Sequence, residues 1–85
     1  MPKTIFTGAN RAVVDVLRQA RLDAGLTQQD LALRISRDQS HVSLIEGSQR
    51  RLDLVEFHRL ARALDRDPVQ LFAMISAKLD HHRVD

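Results

Sequence analysis

Helix-capping residues precede five apolar segments of this 85-residue chain, and this pattern constrains its fold more than any other feature. Ser, Thr, Asp and Asn at a helix start accept hydrogen bonds from the first backbone N–H groups, so they mark where helices begin. The apolar residues after each cap recur at helical spacing, and no segment alternates apolar and polar residues as a half-buried strand does. The sequence therefore predicts an all-α chain of five helices.

The bounds of the helices follow from these caps. The predicted N-caps are, in chain order, Thr7, Thr27, Asp38, Asp53 and Asp67. The first three helices are expected at about 8–24, 28–35 and 39–46, the fourth after Asp53 and the fifth from Pro68, since Pro suits the first helical position. Thr27 and Asp30 have the spacing of a capping box. Gly25 suits a left-handed helix end, and Gly47 is expected to end the third helix.

The apolar positions of the first four helices predict the core. Their inward residues are expected to be Val13, Val16, Leu17, Ala20, Leu31, Ala32, Ile35, Val42, Ile45, Leu54, Phe57, Leu60, Ala61 and Leu64. The connections are only two to six residues long, which favours a compact bundle of short helices. We expect an N-terminal arm at 1–6, one domain at 7–79 and a tail at 80–85, with the arm and the tail mobile.

Several function classes are disfavoured by what the sequence lacks. The chain has no Cys, so disulfides and thiolate metal sites are excluded. No apolar stretch approaches the roughly 20 residues of a membrane span, and no secretory signal is evident, so we expect a cytoplasmic protein without membrane contact. His81 and His82 are adjacent and do not share a helix face, so no metal site is expected. No catalytic motif or phosphate-cradling loop is present, so we expect neither an enzyme nor a cofactor.

Two short predicted helices, 28–35 and 39–46, are separated by Ser36, Arg37 and Asp38, and this is the arrangement of a helix-turn-helix. With Val42 and Ile45 inward, the outward residues of the second of these helices are Gln39, Ser40, Ser43 and Leu44. Gln can pair bidentately with adenine, Ser can bond either base type, and Leu can contact a thymine methyl group. Eleven of the 13 cationic side chains are Arg, whose planar fork suits phosphates, although a net charge of +2 alone does not indicate nucleic acid.

The order of these residues resembles the XRE-type helix-turn-helix regulators, the group of the phage Cro and CI repressors. The resemblance covers about 17–72 and comprises GLTQ at 25–28, LA at 31–32, QSHVSLIE at 39–46, RRLDLVEF at 50–57, LARAL at 60–64 and DPVQLF at 67–72. It implies a compact, lambda-repressor-like five-helix domain that binds double-stranded DNA through the helix at 39–46. The family often has Gly where Ser36 stands, so a positive φ is expected there, and it often has Arg-Gly where this chain has Gly47-Ser48.

The resemblance also implies roles for individual residues. Gln28 matches a phosphate-contacting Gln, and Arg21 and Glu46 match an ion pair between the first and third helices. His41 matches a position that packs on the DNA backbone, although it could equally be a plain surface residue. The full set of candidate DNA contacts is Gln28, Arg37, Gln39, Ser40, His41, Ser43, Leu44, Arg50 and Arg51.

The fifth segment carries more apolar residues than one core-facing stripe requires, which favours a homodimer. The residues assigned to this interface are Leu71, Phe72, Ile75 and Leu79. The leading hypothesis is a sequence-specific transcriptional regulator, a repressor acting as a homodimer on an inverted-repeat operator. The alternatives are an antitoxin that neutralises a toxin protein and autoregulates its promoter, and a helical adaptor that does not touch DNA. The Gln-Ser-Ser face disfavours the adaptor because it is too polar for a helix-in-groove partner.

Overall fold

The computed structural model describes residues 8–81, which form five α-helices and no strand. These are α1 Gly8–Asp23, α2 Gln28–Arg34, α3 Gln39–Glu46, α4 Leu54–Ala63 and α5 Pro68–His81. The predicted all-α fold is confirmed, with α1 and α2 each one residue shorter than expected. Because α5 continues to His81, Asp80 and His81 are helical rather than part of a tail. The predicted Thr7 cap and the arm at 1–6 lie outside the described residues. Within 8–81 no helix has both the length and the apolar character needed to cross a membrane.

Side chains cap the three central helices as predicted. Thr27 accepts a hydrogen bond from the Asp30 backbone N–H at 3.0 Å, and the Asp30 carboxylate accepts one from the Thr27 N–H at 3.0 Å. These two bonds complete the capping box of α2. The carboxylates of Asp38 and Asp53 accept from the third backbone N–H of α3 and α4, respectively. Local hydrogen bonds therefore fix where these helices start before any tertiary contact is considered.

Each of the four connections has a residue in the left-handed conformation two positions after the last residue of the helix. These residues are Gly25, Ser36, Ser48 and Asp65, with φ between 57° and 74°. In each case the following N–H bonds the carbonyl five residues earlier, as in Arg37 N–H to Ala32 at 2.9 Å. This is the 6→1 bond of a Schellman motif. The positive φ expected at Ser36 is confirmed, whereas Gly47 caps α3 with an ordinary φ of −87° and Ser48 takes the left-handed position instead.

One hydrophobic core joins all five helices. Helices α2 and α3 pack together, α1 lies against α3 and α5, and α4 lies against α2 and α5. The buried core residues are Val16, Leu17, Ala20, Leu31, Ala32, Val42, Ile45, Phe57, Leu60, Ala61, Leu64, Leu71 and Ile75. Val13 and Ile35, both predicted as inward, pack against this cluster while partly exposed.

The prediction that Leu54 lies in the core is wrong. This residue is 78% exposed, although it precedes Phe57 on the same apolar stripe. Leu54 is the first residue of α4. The helix begins beyond the edge of the core, so the correct helical phase does not bring this side chain against another element.

Two of the four residues assigned to a dimer interface also need correction. Leu71 and Ile75 are 0% and 1% exposed and belong to the core of the single chain. They lie four residues apart, so they share the face of α5 that packs on α1 and α4. A second copy of the chain cannot contact them. Phe72 is 47% exposed, and Leu79 is partly buried at the edge of the core, so the interface prediction stands only for these two.

Candidate nucleic-acid interface

The turn between α2 and α3 holds the two helices in a fixed relation. Ile35, which ends α2, and Ser36, Arg37 and Asp38 form the whole connection, and Asp38 caps α3. Leu31 and Ala32 of α2 are buried in the same cluster as Val42 and Ile45 of α3. The small Ala32, at 1% exposure, allows close approach of the helices. Helix α3 is therefore anchored along one side and free along the other.

The free side of α3 carries the predicted base-facing residues. Gln39, Ser40, Ser43 and Leu44 are all exposed. The Ser40 hydroxyl donates to the Asp38 carboxylate at 2.8 Å, which orients it beside the N-terminus of the helix. A surface of amide, hydroxyl and methyl groups can exchange hydrogen bonds and apolar contacts with base edges in a major groove.

A continuous hydrogen-bonded chain links this surface to the interior. The Gln39 Nε2 donates to the Gln28 Oε1 at 2.7 Å, and the Gln28 Nε2 donates to the Glu46 Oε1 at 3.0 Å. Since a carboxylate only accepts, Glu46 draws the amide nitrogen of Gln28 towards itself. The Gln28 oxygen is thereby turned to Gln39. Gln39 keeps one N–H and its own oxygen for another partner, which are the groups that pair bidentately with adenine.

This series of hydrogen bonds ends at the predicted ion pair between α1 and α3, which the structure confirms. Arg21 Nε and Nη2 bond the two oxygens of Glu46 at 2.7 and 2.9 Å, and both side chains are almost fully buried. Arg21 Nη1 also donates to the Leu26 carbonyl at 2.8 Å. The hydrogen bonds to Glu46 raise the pKa of Arg21 despite its burial. A bidentate pair in which every guanidinium nitrogen of Arg21 donates at least one hydrogen bond fixes α3 against α1.

His41 belongs to a second cluster, which includes a residue that the sequence analysis missed. The His41 Nε2 lies 2.8 Å from Oε2 of Glu56, and Arg50 Nη2 donates to the same oxygen at 2.9 Å. The side chains of His41 and Glu56 are 14% and 13% exposed. Burial acts to raise the pKa of Glu56, but the hydrogen bonds from Arg50 and His41 outweigh it and lower that pKa. In the sequence, Glu56 is only an acid in the first turn of a helix, which is a common helix-start feature. Its partners come from α3 and from the loop before α4, so no local pattern indicates them.

The remaining candidate cations flank α3. Arg37 lies in the turn before it, and Arg50 and Arg51 lie in the loop after it; all three are exposed. The start of that loop is tied to α1 by a hydrogen bond from Asn10 Nδ2 to the Ser48 hydroxyl at 3.0 Å. Gln28, at the start of α2, is partly exposed beside Gln39. The structure thus brings the nine candidate DNA contacts onto α3 and the segments next to it, while their contacts with DNA stay predictions.

Comparisons with known proteins agree with this geometry. A family model described as a helix-turn-helix domain matches residues 12–73. An XRE-family like protein from Pseudomonas syringae pv. tomato str. DC3000 is 41% identical, with a TM-score of 0.77 over 82% of this chain and 85% of that one. The wild-type restriction-modification controller protein C.Esp1396I is 27% identical, with a TM-score of 0.79 over 87% and 95% of the two chains.

The same controller protein has also been solved as a tetramer in complex with its natural 35 base-pair operator. The protein chain in that complex is 27% identical in sequence to this chain, with a TM-score of 0.78 over 87% of this chain and 97% of that one. Among curated proteins, no sequence matches this chain.

Proposed function

The chain belongs to the XRE family of helix-turn-helix DNA-binding regulators, and from this premise we propose that it is a non-enzymatic repressor. In this proposal a homodimer binds an inverted-repeat operator in double-stranded DNA. Helix α3 enters the major groove of each half-site, and the segments on either side of it contact the sugar-phosphate backbone.

The observation that carries this proposal is the exposed, hydrogen-bonded position of Gln39. The bond to Gln28 holds its carboxamide at the free face of α3, with one N–H and the oxygen still available. A held side chain loses little conformational entropy when it meets a base, so its contact discriminates between sequences efficiently. Ser43 and Leu44 lie one helical turn further along the same helix and extend the surface towards neighbouring base pairs.

Backbone contacts are proposed for Arg37, Arg50 and Arg51, together with Gln28. The three guanidinium groups lie before and after α3, so they can reach phosphates on either side of the groove that α3 occupies. Such contacts fix the register of the protein on the duplex and supply affinity that depends on salt.

Dimer formation is proposed through the exposed part of α5. Val69, Phe72 and Met74 of this helix are 77%, 47% and 48% exposed. Several exposed large apolar side chains on one element are common where proteins associate. A two-fold axis beside α5 can place two copies of α3 about 34 Å apart, one turn of DNA. The operator-bound tetramer of C.Esp1396I supports assembly in a related protein.

A dimer that occupies an operator can repress by excluding other proteins from the same DNA, which requires no further surface. The antitoxin alternative stays a prediction from the sequence, because no feature of residues 8–81 favours a toxin surface over a DNA surface.

Selection of random duplexes with the purified protein, followed by affinity measurement for Gln39→Ala, tests the proposal. The substitution is expected to weaken specific binding by about 1–3 kcal/mol and to leave non-specific binding and the fold unchanged. Gln19→Ala is the matched control, since Gln19 is an exposed glutamine on α1, away from the surfaces proposed for DNA and for the dimer. An unaltered ratio of specific to non-specific affinity in the Gln39 variant contradicts the assignment. Failure of the selection to enrich any sequence contradicts the function itself.

A further inference from the structure

Glu56 is an acidic side chain located among groups expected to meet DNA phosphates. Its Oε2 accepts from Arg50 Nη2 at 2.9 Å and lies 2.8 Å from the His41 Nε2. His41 is on α3, and Arg50 is in the loop that leads from α3 to α4. A carboxylate at this position repels a phosphate and occupies two of the groups that could bind one.

Helix capping does not account for the position of the Glu56 carboxylate. Glu56 is the third residue of α4, the place where Asp30 in α2 turns back to bond the N-cap backbone. The Asp53 carboxylate accepts from the Glu56 N–H at 2.7 Å, but the Glu56 side chain points to Arg50 and His41 instead. Its side chain is only 13% exposed, whereas that of Arg50 is 43% exposed. The carboxylate is therefore largely enclosed, and Arg50 is the member of the cluster that a phosphate can reach most easily.

From this geometry we infer that Glu56 is an internal competitor of DNA phosphate for Arg50 and His41. This inference rests on the proposed function and deepens it. In the free protein the carboxylate neutralises the Arg50 guanidinium. On DNA a phosphate replaces the carboxylate as the partner of Arg50, so the favourable free energy of binding is reduced by the energy of the broken ion pair. This reduction is the same for every DNA sequence. Glu56 therefore weakens non-specific binding and leaves discrimination to the base-facing residues.

Glu56→Gln is the direct test, because glutamine keeps the length of the side chain and an acceptor oxygen but removes the charge. The probe is an unrelated 30-base-pair duplex, titrated at several salt concentrations. We expect a three- to tenfold gain in affinity and a steeper salt dependence, by up to one unit in the slope of log K against log salt. Asp80→Asn removes one negative charge from the exposed end of α5 and is the matched control, with an expected change below twofold.

A double-mutant cycle separates competition from simple charge repulsion. In the Arg50→Ala background the gain in affinity from Glu56→Gln is expected to shrink by at least half, because the guanidinium for which Glu56 competes is absent. A gain of full size in that background overturns the inference, since it assigns the effect to charge alone. A loss of affinity in Glu56→Gln also overturns it, because Glu56 then positions Arg50 for DNA.

A measurement on the wild-type protein covers the case in which Glu56→Gln does not fold. The ¹³C resonance of the Glu56 carboxylate and the side-chain ¹⁵N resonances of Arg50 are followed while the duplex is added. We expect both to shift as the ion pair is exchanged for phosphate. Unchanged resonances at saturation overturn the inference and leave the proposed function intact, whereas absence of binding to any duplex overturns both.

Discussion

Gln39 and Gln28, eleven residues apart in the chain, are joined side chain to side chain by a 2.7 Å hydrogen bond. The direction of this bond is set from the interior, since Glu46 accepts from the other end of Gln28 and is itself held by Arg21. A buried ion pair thereby orients an exposed carboxamide two hydrogen bonds away. The exposed surface of α3 is thus oriented in part by residues of the interior.

Gln28→Ala tests this connection. Without its partner the Gln39 carboxamide rotates freely, so we expect specific binding to weaken by about 1 kcal/mol, the scale of one hydrogen bond. The loss is expected to be smaller in the Gln39→Ala background than in the wild type, as measured by a double-mutant cycle. Gln29→Ala is the control, because Gln29 is the next residue of α2 and is exposed. Equal losses from Gln28→Ala in the two backgrounds show that the two glutamines act independently.

Glu46→Ala is expected to lower the free energy of unfolding by about 3–5 kcal/mol, because it leaves the Arg21 guanidinium buried without its partner. Replacing both residues together, as Arg21→Met with Glu46→Leu, is expected to cost much less, since no uncompensated charge remains. Chemical denaturation measures both variants. A small loss in Glu46→Ala, near that of an exposed pair, indicates that water reaches Arg21 in solution.

Ser36→Gly is expected to stabilise the domain by about 0.5–1 kcal/mol. Ser36 has a φ of 57°, a conformation that costs an L-residue about 1–2 kcal/mol, and glycine removes this cost while adding some unfolded-state entropy. Ser43→Gly is the matched control: Ser43 is an exposed serine inside α3, where glycine is expected to destabilise by about 1 kcal/mol. If both substitutions change the stability in the same direction, backbone conformation does not explain the effect at Ser36.

Substitutions on the two faces of α5 are expected to have different consequences. Ile75→Asp places a charge in the core and is expected to unfold the domain, whereas Val69→Glu is expected to leave the helical circular dichroism intact. If α5 forms the dimer interface, Val69→Glu also shifts sedimentation towards the monomer. Leu22→Glu, at an exposed apolar position of α1, is the control and is expected to keep the dimer. A wild-type protein that sediments as a monomer at about 10–100 µM, the range of weak association, contradicts the dimer.

Acidification is expected to destabilise the domain through three carboxyl groups. The hydrogen bonds within the α2 capping box lower the pKa of Asp30, and those from Ser40 and the His41 backbone lower that of Asp38. Arg50 and His41 lower the pKa of Glu56 against the opposing effect of burial. Because these values are lower in the folded chain, the stabilisation is present above the ordinary values of 3.8 and 4.5 and is lost as pH falls through the folded-state values.

Asp38→Asn provides the measurement. Its stability relative to the wild type is followed by denaturation from about pH 6 to about pH 3, and the difference is expected to shrink as the wild-type carboxylate becomes protonated. A constant difference across this range contradicts an electrostatic role for the Asp38 cap.

Features that depend on neighbouring residues along the chain were predictable without a structure. The starts of three helices were predicted from their caps, Thr27, Asp38 and Asp53, because each cap side chain accepts a hydrogen bond from a backbone N–H three residues later. The short turn and the spacing of Val42 and Ile45 indicated which face of α3 is buried. The ion pair of Arg21 and Glu46 was also anticipated, although only through resemblance to a family and not through the residues themselves.

Features that depend on which helices pack together, and on where the core ends, became visible only in the folded chain. Helical phase places Leu54 with Phe57, but the core stops short of the first turn of α4, so Leu54 is exposed. The amphipathic pattern of α5 does not distinguish residues buried in the core of one chain from residues buried against a partner. In the structure, Leu71 and Ile75 are buried by packing on α1 and α4. The partners of Glu56 are His41 and Arg50, which reach it only after α3, the loop and α4 have folded together. Contacts between side chains from different elements have no fixed spacing in a sequence, and for that reason no local pattern predicted them.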